Sequence, residues 1–381
     1  MTAHDTGLSS GHAVDRAAKQ TLAFLDTLEA GGAFPQGVLR FCAGHDATQW
    51  PGMLLPATYN GAMCRDLLGD LDDWGRDKRK ELAGWLVSHR RRDGVFRIAG
   101  MAEGDIFKKP DAVETRTYID FHVTNYALGA IGALTPHEAP VLDFVYRWLD
   151  PVRLKAWLAE RDLRDPWQEG NNIVNLAGFL LLLARHEDKA TQALATGAIE
   201  ILRDWHDRLQ EPTTGFWGVG QALGGERLLH AMAGSMHNFH LWYASGWRLP
   251  YQERAVDYVL SRDPSWHSAC IDVDEVDLLV HAAQTLDHRR DEIDRWLGRK
   301  IAAILANQNS DGGFADTFDQ PWRQDGWVGG PVIAPGVSTA FATWFRWIAI
   351  AMIDAHLRPG RRPWRFRKMI GIGYRRSCED A

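Results

Sequence analysis

Cysteine is scarce in this 381-residue chain, and the four present, Cys42, Cys64, Cys270 and Cys378, stand apart without CxxC or CxxH spacing. That excludes a disulfide framework and a zinc knuckle and leaves reduced thiols. No apolar run reaches the roughly 18 residues of a membrane span. The start, MTAHDTGLSSGHAVDRAAKQ, has neither the charged nor the apolar region of a secretory signal, so the expected location is the cytoplasm. A phosphate-binding glycine loop, a GxSxG elbow and a Cys/His nucleophile pair are also missing, which removes support for kinase, serine hydrolase and thiol protease chemistry. No stretch shows sustained period-two alternation with hairpin turns, so no sheet is expected. What is there, 45% hydrophobic and 24% charged residues, is an ordinary globular composition with enough apolar material for a large core.

Charge is unevenly placed. From Arg358 to Ala381 there are eight basic residues and two acids, a local +6 against −6 for the whole chain, so the remainder carries −12. The tail interleaves Trp364, Phe366, Met369, Ile370, Ile372 and Tyr374 with arginines, a mixture suited to peripheral membrane contact through 358–376. The alternative is an extension that packs its aromatics on the main domain. Nucleic acid is not an expected partner, because the acidic body opposes a phosphate backbone.

A Gly/aromatic signature recurs as GGAF at 31–34, RRDGVF at 91–96, EPTTGFW at 211–217 and QNSDGGF at 308–314, with degenerate copies RDPW at 164–167 and RDPSW at 262–266. Such a period marks a repeat architecture. Amphipathic helices are predicted at about 14–29, 76–90, 139–160, 190–209, 251–261 and 290–308, alternating with more apolar ones at about 57–71, 118–133, 170–186, 228–246, 271–286 and 336–354. Six such pairs close into a double ring, so the expected fold is all-α, an (α/α)6 barrel with the apolar helices inside. The barrel spans 14–356, between a flexible N-terminus at 1–13 and the tail at 357–381.

QNSDGGFAD at 308–316 resembles the QW repeat of the squalene cyclase and protein prenyltransferase superfamily, and DVDE at 272–275, about 35 residues earlier, is similar to the acidic motif of class II terpene cyclases. The resemblance rests mostly on 271–350 and is greatest to the β domain of those cyclases. It implies protonation of an isoprenoid-like substrate by the middle acid, Asp274, with Asp272 and Glu275 in support and no cofactor. Glu275 stands where the family has Asp, and the chain has room for one barrel where cyclases usually enclose substrate between two domains. The literal DxDD at Asp70 to Asp73 falls at the wrong end of its helix and reads as a surface loop.

The acids also have a reading of their own. Asp272 or Asp274 could cap the following helix, but one side chain suffices for that, and crowded carboxylates repel until one is held protonated. If the apolar helices run the same way, their N-terminal ends bring His122 and Asn125, Asn171, Asn172 and Asn175, and His237, Asn238, His240 and Tyr243 to the same mouth. Singly, each is more often a satisfied buried group or cap; together they suggest a polar site. In a cyclase, His237 or His240 would hydrogen-bond the acids, while Trp217 and Trp327, with Phe216 and Trp242, face cationic intermediates. In a polysaccharide lyase or glycoside hydrolase the same residues would bind a glycan. A metal held by His237, His240 and Asp272 or Asp274 is a weaker reading, since HxxH is a short pattern, and no metal is expected. A non-catalytic toroid that binds lipid or peptide is the remaining alternative.

Overall fold

The computed structural model describes residues 3–101, 115–161, 163, 165–220, 225–323 and 330–376, with side chains described from residue 11 onward at the N-terminus and from 117 after the first gap. Among them the chain is all-helical, with isolated β-bridges but no strand. Twelve α-helices form: α1 Ala3–Thr27, α2 Leu54–Leu68, α3 Arg76–Val87, α4 Thr115–Leu134, α5 Pro151–Ala159, α6 Pro166–Leu183, α7 Lys189–Leu209, α8 Gly225–Ser245, α9 Gln252–Leu260, α10 Ala269–Thr285, α11 Arg290–Ala306 and α12 Ala340–Leu357. The first begins at Ala3, so residues 3–13, expected to be flexible, are helical. The helix expected at 139–160 breaks at Pro151, which starts α5 behind its cap Asp150 and leaves a 3-10 turn at 143–149.

The even-numbered helices are buried along most of their length, whereas the odd-numbered ones bury one stripe, as in α11, where Ile293, Trp296, Leu297, Ile301 and Ile304 are buried. Contacts among the even set run from α2 to α4, α6, α8, α10 and α12 and return to α2, a cycle that closes. The odd helices pack outside it: α3 on α4, α7 on α6, α9 and α11 on α10, α11 also on α12, and α1 on α2, α11 and α12. The closest approach is α6 to α8, where a Cβ on Gly170 would meet the Gly234 carbonyl oxygen at 2.4 Å and a Cβ on Gly234 would meet that of Pro166 at 2.0 Å. Only glycine allows backbones that near.

The sequence signature has one structural job. A glycine at positive φ, at Gly37, Gly94, Gly215 and Gly312, turns the chain off an outer helix. Two residues on, a backbone N–H donates to a hydroxyl of the next inner helix: Leu39 to Thr58 Oγ1 at 3.0 Å, Phe96 to Thr124 Oγ1 at 2.9 Å, Trp217 to Ser235 Oγ at 2.8 Å and Phe314 to Thr343 Oγ1 at 3.0 Å. The first copy is therefore centred on Gly37 and Leu39 rather than on GGAF at 31–34. A buried loop N–H must find an acceptor, and an inner helix has spent its own carbonyls on its ladder, so the hydroxyl supplies one.

The C-terminal segment does not project. Arg361 pairs with Asp15 at 2.6 Å, Arg358 with Asp354, and Arg365 with Asp72 of the DLDD turn. Ile370, Ile372 and Tyr374 are at most 7% exposed. Three of the six apolar side chains expected as membrane anchors are thus buried, Trp364, Phe366 and Met369 are partly buried against the core, and the arginines answer the acidic body. No helix among the described residues is long and apolar enough to cross a membrane.

Replacing Thr343 with Val keeps the shape but strands the Phe314 N–H, and should cost about 1–3 kcal/mol in a urea titration followed by circular dichroism. Unchanged stability would mean that this N–H reaches water.

Candidate active site

Ser268, not an acid, caps α10, accepting from Ile271 N at 3.3 Å. The acids that follow are all fully buried. At about 100° per residue, Asp272 and Asp274 stand about 160° apart, so the cluster divides between two faces. Asp272 and Glu275 face α11 and α12. Lys300 Nζ lies 2.7 Å from Asp272 and 2.9 Å from Glu275, and Arg262 Nε lies 2.6 Å from Glu275. Arg346 pairs with Asp272, donates to the carbonyls of His267 at 2.6 Å and Asp316 at 3.0 Å, and lies 3.4 Å from the Trp266 ring. These two carboxylates are consumed in an ion network that ties three helices together. Asp272 is not beside Asp274, and only the charge of Glu275 reaches it.

The other face carries Asp274, Asp277 and His281, spaced i, i+3 and i+7. Neither oxygen of Asp274 has a hydrogen-bond partner among the described residues. Burial, then the charges of Asp277 and Glu275, push its carboxyl well above the usual range, so it is held as the neutral acid. The expected bond from His237 or His240 to this acid is not made. His240 Nε2 lies 2.8 Å from Asp277 Oδ1, and His281 Nδ1 lies 3.0 Å from that same oxygen and 3.0 Å from the Asp277 carbonyl. Burial acts to raise the Asp277 carboxyl, but the two histidines outweigh it and hold the group below its ordinary range.

The protons on this trio follow from its partners. His240 Nδ1 accepts from the Gly371 N–H at 3.2 Å, so the proton of a neutral ring sits on Nε2 and points at Asp277. His281 Nδ1 faces a carbonyl oxygen, which cannot donate, so that nitrogen also bears hydrogen. His240, Asp277 and His281 offer ligand atoms within 4.8 Å of one another. A cation there would need unprotonated nitrogens where the surroundings demand donors. The trio is a hydrogen-bonded set, and it replaces the expected grouping of His237 and His240 with Asp272 or Asp274.

The face of each inner helix that turns toward this set is marked by the C-terminal segment. Arg367 donates to Asn125 Oδ1 at 2.5 Å, Asn125 Nδ2 to the Ile370 carbonyl at 3.4 Å, Gly178 abuts Met369 and Ile370, and Tyr374 stacks on His281 at 6.2 Å. One or two turns earlier, that face of α4 carries His122, of α6 Asn175 and Asn171, of α8 His237, and of α10 Asp277 and Asp274. His122 packs on Tyr126 at 4.3 Å, and Tyr126 in turn on Tyr59 at 5.6 Å and Trp344 at 5.5 Å.

The remaining expected residues divide. Asn172 Oδ1 and Asn175 Nδ2 are buried without partners among the described residues. Asn171 bonds its own helix at Trp167 O at 3.2 Å, and Asn238 Nδ2 ties α8 to α6 through Gly170 O at 3.2 Å, both structural uses. Tyr243 accepts from Gln252 Nε2 at 3.1 Å and stacks on His281 at 4.4 Å. Trp217 is away from the acid, with Nε1 on His206 O at 2.8 Å and its ring against Trp242 and Phe239. Trp327 lies outside the described residues. Asp277 was not among the expected site residues, His281 was not singled out, and Tyr374 was expected only as a tail aromatic. The DxxDxxxH spacing at 274–281 was the available signal for the first two; nothing local marks Tyr374.

Asp272→Asn strands Arg346 and Lys300 in the interior and should destabilise by about 3–5 kcal/mol in urea titration. Asp274→Asn should do the opposite in a pH-dependent way. A carboxyl raised in the folded state holds a proton that the unfolded chain releases above about pH 4, so the wild type loses stability as pH rises past that point and the Asn variant does not. The variant's advantage should therefore grow between pH 4 and 7, and a constant difference would show Asp274 ionised. Comparison with protein-family models, with curated proteins and with solved structures finds no match for this chain.

Proposed function

We propose that the closed cycle of inner helices is an (α/α)6 toroid of the terpene cyclase kind and that it works as a protonation-initiated isomerase or cyclase of an isoprenoid-like substrate. The observation that carries this reading is Asp274, a fully buried carboxyl with no hydrogen-bonding partner among the described residues, beside a second carboxyl held in the opposite protonation state. Two acids pushed apart in this way define donor and acceptor sides of a proton transfer. Asp274 O–H is the donor to a carbon–carbon double bond: its O–H bond breaks, a C–H bond forms, and a carbocation remains. Asp272 and Glu275 contribute by holding α10 in place. Lodged among buried side chains, the acid is screened from water that would quench the cation.

A second reading, a lyase or hydrolase acting on glycans, draws on a different observation. Buried amide atoms of Asn60, Asn172 and Asn175 lack partners among the described residues and would suit the hydroxyls of a sugar.

The wild type and Asp274→Asn would be incubated with farnesyl diphosphate, geranylgeranyl diphosphate and squalene, and in parallel with uronate-containing glycans. The expected result is turnover of a polyprene that falls by about 10²–10⁴ in the variant. Equal rates in the two proteins would remove Asp274 from the chemistry, and turnover of glycans alone would install the second reading.

A further inference from the structure

A protonation that ends in a neutral alkene needs a group to take a proton back. We propose that His281 is that acceptor, through Nε2, with Asp277 fixing its tautomer and Tyr374 of the C-terminal segment packed beside its ring. The inference rests on the reading of Asp274 as donor.

His281 is 1% exposed. Its Nδ1–H is spoken for twice, by the carbonyl and the carboxylate of Asp277, each at 3.0 Å. Its Nε2 has no partner among the described residues. A neutral imidazole with hydrogen on Nδ1 keeps its lone pair on Nε2, so the unpartnered atom is the basic one. As the ring takes a proton there, the positive charge it gains lies 3.0 Å from a carboxylate whose other donor is His240. Asp277 thus both orients the ring and stabilises its charged form.

Two aromatic rings lie nearly parallel to the imidazole. Tyr243 lies 4.4 Å from the His281 ring at 6° between planes, and Tyr374 lies 6.2 Å away on the tail at 7°. Near-parallel rings hold the imidazole against rotation and offer π faces to an imidazolium. The tail acts at a second point, since the Gly371 N–H fixes the His240 tautomer and so directs the second donor at Asp277. Arg367 pins that stretch, donating to the Ile372 carbonyl at 2.8 Å and to the Asn125 carbonyl at 3.0 Å. The atom balance closes: Asp274 gives one proton to an alkene carbon, ring closure carries the cation along the substrate, and His281, about 10 Å further along α10, takes one proton from a carbon beside the final cation. Exchange of the two protons with water resets the pair.

The test is long-range proton–nitrogen correlation on deuterated protein labelled with 15N-histidine, in the wild type and in Asp277→Asn, with His281 assigned by loss of its signals in His281→Phe. The wild type should show His281 with hydrogen on Nδ1 and a pyridine-like Nε2, and His240 with hydrogen on Nε2. In Asp277→Asn the residue-277 carbonyl still faces Nδ1, so His281 should keep that hydrogen while its nitrogen shifts report the loss of the carboxylate. A wild-type His281 protonated on Nε2, or on both nitrogens, overturns the proposal. So does a stoichiometric divalent metal in the purified protein that shifts both histidines when removed. Should His281→Phe fail to fold, through-bond correlation of the ring with its own backbone amide assigns His281 in the wild type, so the measurement still decides. Because it needs no substrate, it can fail while Asp274→Asn still abolishes turnover, which keeps this inference separable from the reading beneath it.

Discussion

Because the inner helices are enclosed on nearly every side, a polar group placed on them must find its partner inside the protein or remain costly, and the main features of this structure follow from that constraint. Loop N–H groups arriving from outside meet a Thr or Ser hydroxyl. Asn238 closes the α6 to α8 contact, at a crossing so tight that only glycine fits. Asp272 and Glu275 are answered by Lys300, Arg346 and Arg262. Each case is a buried group paired with a complement from a neighbouring helix, so the polar interior specifies which helices are neighbours as well as tolerating burial.

Against that background Asp274 stands out. It shares a helix with three paired carboxylates, yet neither of its oxygens is hydrogen-bonded among the described residues. An unpaired carboxyl in such surroundings is tolerable only as the neutral acid, and replacing it by an apolar or amide side chain would relieve the fold. A residue that costs stability where its neighbours contribute it is the pattern expected of a reactive group. The C-terminal segment extends the same logic. Its Ile370, Ile372 and Tyr374 fill space against the inner helices, while its arginines find Asp15, Asp72 and Asp354. The charge asymmetry between tail and body is the attraction that docks one on the other.

Much of the helical order could be read from spacing alone, because an amphipathic stripe and an apolar run differ in period and composition, and the boundaries of α7, α10 and α11 fall within a few residues of the expected ones. The repeat was visible for the same reason, though its first copy was misplaced, since Gly37 and Leu39 are defined by a bond to Thr58 rather than by an aromatic residue. The site was less legible. Four acids in six positions look like one cluster along the chain, but helical phase sends Asp272 and Glu275 one way and Asp274 and Asp277 the other. Trp217 carried the right chemistry for a cation and lies against His206 instead, because its signature turns toward the outer layer.

The sequence by itself determined the alternation of helices, the glycine turns between them and the presence of buried acids, since these depend on local period and on backbone freedom at single positions. It also contained the opposite charges of tail and body. Only the tertiary structure decided which acid is paired and which is left bare, which proton sits on each histidine, and that Tyr374 and Gly371 come to rest beside residues about 90 and 130 positions earlier. Those outcomes depend on what faces a side chain across a helix interface, and the facing residue comes from a distant part of the chain whose position is set by the packing of the whole.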